Sequence, residues 1–364
     1  MKIGILTWFF GANYGAQAHS YALYNILENM GHTCEFIMYY PKRSRFGIYI
    51  GNVLMVIGHR KGLLHPIRSI KAVAGLSRFC DLHKTYRISR RVYNGHDIDA
   101  LEYDLVILGS DEVFKINHQF YSDVNYGVGI NNTPKITYAP CSGQTDVHTI
   151  LPENVRNSLE NMAAVSARDK YTAELMQNNS DREVTVVLDP TLLYDFSDIA
   201  EPLPEKNYIL IYAFCELDEY EKRIREYANK NNLKVVSIGR QRRWADKSYA
   251  LASVPQWMGA FMHASLVITD SFHGTIFAVK NQKEFISTGF IHNVNKVSSL
   301  LEDMQISRGY YTLDKSIEQY LEEQPINYAN VSYVINQKKL ISFQYLTDSL
   351  KKVSNACIKK GVKL

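Results

Sequence analysis

The sequence predicts an α/β protein with two parallel, doubly wound domains, on three observations. The chain opens with an apolar run at 2–10, a turn at Gly11-Ala-Asn-Tyr-Gly15, a helix-spaced pattern at 16–30 and a second apolar run at 34–39. That β–loop–α–β order signals a parallel, doubly wound sheet. The same rhythm restarts with a strand at 208–214, a charged helix at 218–231 and a strand at 234–238. Finally, 364 residues exceed one ordinary core and suit two domains. The acidic, proline-bearing stretch 198–206 makes a natural hinge, giving domains at 1–197 and 198–364.

Composition narrows the class. With 46% hydrophobic and 21% charged residues the chain has apolar material for two cores and is neither fibrous nor disordered. The net charge of +4 is unevenly spread, with twelve Lys/Arg between Lys42 and Arg91 against one acid, Asp81. Such a block calls for an anionic partner or surface. It lies in a basic insertion at 42–100, punctuated by Pro41 and Pro66, with Phe46, Tyr49 and Ile50 interleaved. That pattern fits contact with an anionic membrane surface, and equally a solvated insertion packed on its domain. No module that reads nucleic acid is recognised, so no nucleic-acid partner is expected. Five cysteines (34, 80, 141, 215, 357) without a Cys-x-x-Cys pair point to reduced thiols in a cytosol rather than disulfides or zinc. Lys2, the apolar run and Ala16-Gln17-Ala18 imitate a weak signal peptide, but Asn13, Tyr14 and Gly15 interrupt it and an amphipathic helix follows. No apolar run approaches the ~20 residues that span a bilayer. The expected location is cytoplasmic.

Taken in order, the first helix carries Ala18, Ala22, Leu23, Ile26, Leu27 and Met30 on its inner side and ends at Gly31. The loop before it lacks G-x-G-x-x-G spacing, so a nicotinamide cofactor is not indicated. Asn13 and Gly15 either shape a ligand loop or simply make the turn. Helices are expected around 67–83. A buried strand at 104–109 runs into Ser110-Asp111-Glu112-Val-Phe114, where ligands of open α/β sheets usually bind. Asp111 there can orient a hydroxyl, act as a base, or cap a helix. A strand at 135–139 leads to Pro140-Cys141-Ser142-Gly143; Cys141 as a nucleophile would need a base that the sequence does not name. The apolar stretch 159–165 leads into Ser166-Ala-Arg168-Asp169, with Arg168 either an anion clamp or one half of an ordinary salt bridge. A strand at 184–188 and Asp189-Pro-Thr close the first half.

In the second half, Gly239-Arg-Gln-Arg-Arg-Trp244 is a basic, aromatic loop at a strand end, and 255–264 reads as helical. A buried strand from Leu266 then meets Thr269-Asp-Ser-Phe-His273-Gly274, where a helix opens. Unpaired N–H groups and the dipole of a helix start favour an anion, and an imidazole there moves protons near neutral pH. The competing role for His273 is capping alone. A strand at 284–287, a helix at 297–303 behind Lys296, and mainly helices from 315 complete the chain. No repeat of 20–50 residues occurs.

In this order the motifs resemble the polysaccharide pyruvyl transferase family. The resemblance rests on Asn13-Tyr14-Gly15 with Tyr21-Ala22-Leu23, Gly109-Ser110-Asp111, Tyr138-Ala-Pro, Ser166-Ala-Arg168-Asp169, Leu188-Asp189-Pro-Thr-Leu, Thr269-Asp-Ser-Phe-His273-Gly, and Lys296 ahead of Ser298-Ser-Leu-Leu. It covers most of residues 1–310. It implies two Rossmann-like domains facing a cleft, similar to glycosyltransferases of the B type, with acceptor on the N-terminal and donor on the C-terminal side. It also implies phosphoenolpyruvate as donor, a sugar of a bacterial surface polysaccharide precursor (lipid-linked or not) as acceptor, and a pyruvate ketal as product. No cofactor is implied, and no metal-ligand cluster is evident. On this resemblance His273 and Asp111 are catalytic, and Arg168, Lys296, Ser271 and Gly274 bind the donor. Asn13, Tyr14, Glu112, Phe114 and Arg240 line the acceptor side. Separately from the resemblance, the charge of the basic segment 42–91 leads to the hypothesis that it docks at the inner face of the plasma membrane, where lipid-linked sugar precursors sit.

Two departures bear on this. Ser271 stands where many members carry Arg, and Glu112 and Phe114 stand where many carry Gln and Trp. Arg240, Arg242 or Arg243 are positioned to replace the missing cation. Two alternatives remain open: a sugar-nucleotide-dependent glycosyltransferase of the same architecture, and a non-catalytic glycan- or anion-binding relative.

Overall fold

The computed structural model describes residues 1–11, 13–40, 82–118, 121–288 and 294–359. They form two compact units, one reaching Tyr194 and resuming at Gln337, the other Asp195–Asn336. The first unit contains β1 (Lys2–Leu6), α1 (Tyr14–Asn29), β2 (Thr33–Phe36), α2 (Gly95–Asp99), β3 (Leu105–Leu108), β4 (Lys135–Thr137), α3 (Glu153–Glu160), β5 (Val165–Ala167), α4 (Lys170–Gln177), β6 (Val184–Val186) and α5 (Pro190–Leu193). Its four-stranded parallel sheet runs β2-β1-β3-β4, and β5 pairs with β6. Single parallel bridges extend it at both ends: Phe36 with Ile88 and Tyr39 with Val92 beyond β2, and Ile136 with Ala164 toward β5. The chain thus winds outward from β1 to the segment 88–92, then returns to β3 on β1's other side. β3, Leu-Val-Ile-Leu, is buried on both faces, which is why it reads as an unbroken apolar run rather than an alternation.

The second unit contains β7 (Tyr208–Tyr212), α6 (Glu221–Lys230), β8 (Lys234–Ile238), β9 (Lys247–Tyr249), α7 (Val254–Gly259), β10 (Ala264–Thr269), α8 (Phe272–Lys280), β11 (Glu284–Ser287), α9 (Val294–Asp303) and α10 (Ile317–Glu323). Its parallel sheet has the order β11-β10-β7-β8-β9. Here too the first strand is central, and the direction of winding reverses between β7 and β10. Both sheets therefore have a topological switch point, where open α/β proteins bind ligands beyond the carboxyl ends of the strands.

Several expectations need adjusting. The first strand ends at Leu6, not at residue 10. The apolar run continues because Phe9 is fully buried and stacks on Phe36 with ring centroids 4.5 Å apart, serving the core from outside the sheet. α1 starts at Tyr14 because the Asn13 side chain accepts from Gly15 N and Ala16 N, at 3.0 and 3.3 Å. The helix expected at 255–264 stops at Gly259, and β10 begins at Ala264. β9, a three-residue edge strand, carries no periodic signal. Residues 42–81 of the basic insertion lie outside the described residues. Most of the helical stretch expected at 67–83 falls there, while Leu82–Thr85 forms a 3₁₀ turn.

The last helix, α11 (Tyr328–Lys359), begins in the second unit and ends in the first. The sequence alone places this tail with the second domain, whereas residues from Gln337 onward belong to the first unit. Within the first unit, Tyr345 donates to Thr137 O at 2.8 Å and Ser342 Oγ accepts from Leu188 N at 2.9 Å, while Leu346, Leu350 and Val353 are buried. Among the described residues, no helix is long and apolar enough to cross a membrane.

Candidate functional site

At the switch point of the first unit, loops from the ends of β1, β3, β4 and β5 interlock. Gly109 lies so close to the next loop that a Cβ would sit 2.3 Å from Tyr138 O. Asp111 follows at φ 69°, ψ −165°, a region that costs a residue with a Cβ about 1–3 kcal/mol. Its backbone is fixed by Cys141 N, which donates to Asp111 O at 2.8 Å. The side chains form a chain of contacts. Ser110 Oγ is 2.7 Å from His19 Nδ1, and His19 Nε2 is 3.6 Å from Asp111 Oδ2. Arg168 Nη1 donates to Asp111 Oδ1 at 2.9 Å and to Asp189 Oδ2 at 3.2 Å. Asp189 Oδ1 accepts in turn from Thr191 N and Oγ1. His19, Ser110, Arg168 and Asp189 are buried, whereas the Asp111 side chain keeps 16% exposure and is the cluster's outlet to solvent. Burial opposes the Arg168 charge, but neighbouring Cys141, Asp111, Asp189 and Asp169 outweigh it and hold the proton more firmly than usual.

At the switch point of the second unit, Asp270 accepts from Phe214 N with both oxygens at 2.9 Å and from Cys215 N at 2.8 Å, tying the end of β10 to the loop after β7. Ser271 caps α8, its Oγ accepting from Gly274 N at 3.3 Å. Gly274 is demanded by packing: a Cβ would sit 2.2 Å from Thr269 Oγ1 and 2.9 Å from the Tyr212 ring. The helix start is thereby pressed onto the strand ends, with His273 buried in its first turn. Burial, then the hydrogen bond to Asp270, push the Cys215 thiol up to about 12, so it stays protonated.

The other residues singled out from sequence fall as follows. Lys296 is half-buried in the first turn of α9. Arg240 donates to Phe214 O and pairs with Glu216. Glu112 pairs with Lys115 at 3.5 Å. Asn13 works as a helix cap, and Tyr14 is buried. Phe114, expected to wall an acceptor pocket, is fully buried and stacks on Tyr126 at 3.9 Å, which leaves its ring no surface for an acceptor. Cys141 is buried, with Sγ accepting from Gly143 N. Sequence reasoning did not single out His19, although a titratable residue three and four positions before Ala22 and Leu23 on the buried stripe of α1 was a usable signal. Nor did it find that Asp189 shares Arg168, because that pairing spans 21 residues. Among the described residues, no group of three or more His, Cys, Asp or Glu is placed to hold a metal ion.

The fold is that of the B-type glycosyltransferases and their relatives, a mixed α/β architecture with a doubly wound parallel sheet in each unit. The chain belongs to the polysaccharide pyruvyl transferase family, whose sequence model matches residues 13–289. No curated protein matches it. Among solved structures, it is similar to Staphylococcus aureus MnaA with UDP (TM-score 0.54, 11% identity, 97% of each chain covered). It is also similar to the UDP-GlcNAc 2-epimerase of Neisseria meningitidis bound to UDP-GlcNAc (TM-score 0.53, 13% identity, 96% of this chain and 100% of that one). A third is an α-glucosyltransferase in complex with UDP (TM-score 0.50, 10% identity, 97% and 100% covered).

These findings correct the donor implied by the family resemblance. Three structures matched over nearly the whole chain are a UDP-GlcNAc epimerase, a glucosyltransferase with UDP and a UDP complex, which favours a nucleotide sugar over phosphoenolpyruvate. Ketal-forming pyruvyl transfer, phosphoenolpyruvate as donor and partner, and the product that followed from them are therefore set aside. The site gives a physical reason as well. Arg168, expected to grip that small dianion, is already committed to two carboxylates, so its surroundings repel a further anion.

Proposed function

We propose that the chain is a nucleotide-sugar-dependent glycosyltransferase that binds its donor on the second unit. The observation that carries this reading is the likeness, over at least 96% of the chain, to structures holding UDP or UDP-GlcNAc. The second switch point supports it through chemistry. A nucleoside diphosphate leaves as an anion, and a helix start held by Ser271 against the strand ends favours negative charge there. In this reading, the acceptor hydroxyl gives its proton to a base as its oxygen bonds the anomeric carbon. The bond from that carbon to the diphosphate oxygen breaks, and the nucleoside diphosphate departs with the electron pair. His273 serves the departing group as proton donor, with Ser271, Gly274 and Lys296 on the donor side.

The test is a thermal-shift series on the full chain with UDP-, TDP- and GDP-sugars and with phosphoenolpyruvate. A ligand at a hundredfold excess over its Kd adds about 2.7 kcal/mol, so at least one nucleotide sugar should raise Tm by several degrees, and His273→Ala should abolish its turnover. Stabilisation by phosphoenolpyruvate alone, with every nucleotide silent, sinks the reading.

A further inference from the structure

The loop after β8 carries two guanidiniums toward one place. Arg242 has a side chain only 2% exposed, and its Nη2 donates to Ala213 O at 3.1 Å and Cys215 O at 2.8 Å. Its Nε and Nη1 are buried without a hydrogen-bond acceptor. Arg240, from the same loop, reaches Phe214 O and the Glu216 carboxylate. That carboxylate, 65% exposed, stands 3.7 Å from Arg242 Nη1, beyond hydrogen-bond reach. Burial, and then Arg240, weaken the hold of Arg242 on its proton. Asp270, also nearby, spends its oxygens on Phe214 N and Cys215 N.

Buried N–H donors left without partners are costly, and so is a second guanidinium alongside. A structural arginine that merely tied down the loop would need only the Nη2 contacts. Here a solvent-facing carboxylate, held by Arg240 and out of hydrogen-bond reach of Arg242, is joined, among the described residues, only by the charge of Asp270, whose oxygens face backbone amides, in answering two cations beside the loop that follows β7. A diphosphate brings more negative charge than one carboxylate and oxygens spaced for the guanidinium fork. Phe214, 46% exposed at the same turn, offers a ring face next to it.

We propose that Arg240 and Arg242 form the diphosphate subsite of the second unit, and that Glu216 is a placeholder carboxylate which the incoming phosphates displace. This rests on the nucleotide-sugar reading and reassigns Arg240 from the acceptor to the donor. The placeholder makes the test directional. UDP and uridine are titrated against the full chain as wild type, Glu216→Gln and Arg240→Gln, both changed residues being accessible enough to spare the fold. Glu216→Gln should tighten UDP at least threefold, because a competing charge is gone. Arg240→Gln should weaken UDP tenfold or more while uridine is unchanged. The proposal is overturned if Glu216→Gln binds UDP no better than wild type, if Arg240→Gln binds it equally well, or if Arg240→Gln weakens UDP and uridine alike. Wild type that binds UDP while both variants match it removes only this subsite, whereas wild type blind to UDP, TDP and GDP alike removes the parent reading too.

Discussion

A hydrogen atom in place of a methyl group decides whether the first turn of α8 can lie where it does. With Thr269 Oγ1 2.2 Å from the site of any Cβ, Gly274→Ala forces either the helix start or the end of β10 to move. Overpacking of this kind costs about 1–3 kcal/mol. Chemical denaturation should show that loss, and a variant as stable as wild type would mean that the junction is looser than described. The strand–His–Gly–helix order made this spot legible in sequence, because a strand run, polar residues and a glycine before a helical pattern have few other uses. What the order could not convey was which neighbours matter. Asp270 and Ser271 are short polar residues in a turn, and only the fold aims one at the Phe214 and Cys215 amides and the other at Gly274 N. Phe114 shows the reverse error: aromatic residues beside a motif suit a pocket or a core equally, and here packing on Tyr126 took it.

Among the elements, the parallel strands were the most legible, since strands buried on both faces are written as plain apolar runs; β11 at Glu284–Ser287 and the centres of β1, β3, β7 and β10 lie where the pattern puts them. Their ends were less so, because apolar residues such as Phe9 continue into loops that also line the core. α11 was legible as a helix but not as part of the first unit, since a helix carries no mark of which core its apolar stripe will meet. Its second half predicts its own importance. Removing residues 337–364 strips Leu346, Leu350 and Val353 from the first unit and leaves Thr137 O without the Tyr345 hydroxyl. Each buried leucine is worth about 2–5 kcal/mol when truncated to alanine, so the shortened chain should lose the first unit's cooperative melt. Limited proteolysis would check this by rapid cleavage inside residues 1–194; resistance equal to that of the intact chain would contradict it.

Over the whole molecule, each unit has a carboxylate held by backbone N–H donors, three for Asp99 and one, with the Arg225 guanidinium, for Asp246. Asp99 is raised by burial but lowered further by N–H donors from Asn131, Asn132 and Thr133. Asp246 is likewise raised by burial, and lowered further by Val235 N and Arg225. Both therefore end below the ordinary aspartate range. A carboxylate depressed in the folded state gives stability that is complete above its unfolded pKa, near 4, and that disappears as pH falls through the folded value. Thermal melts from pH 7 down to pH 3 should be level at first and then fall below about pH 4.5. Asp99→Asn should lower the neutral plateau and flatten the acid slope, whereas an unchanged slope would show that the cage contributes nothing.

The path of the backbone has a consequence for biosynthesis. Because the final helix begins among the residues of the second unit and finishes among those of the first, the earliest half to leave the ribosome is the last to be completed. Its seat for Tyr345 stays empty while some 140 residues of the other half are translated, and at ~5–20 residues per second that is a wait of many seconds. The half made second can assemble its sheet from contiguous chain, while the half made first waits for its last helix.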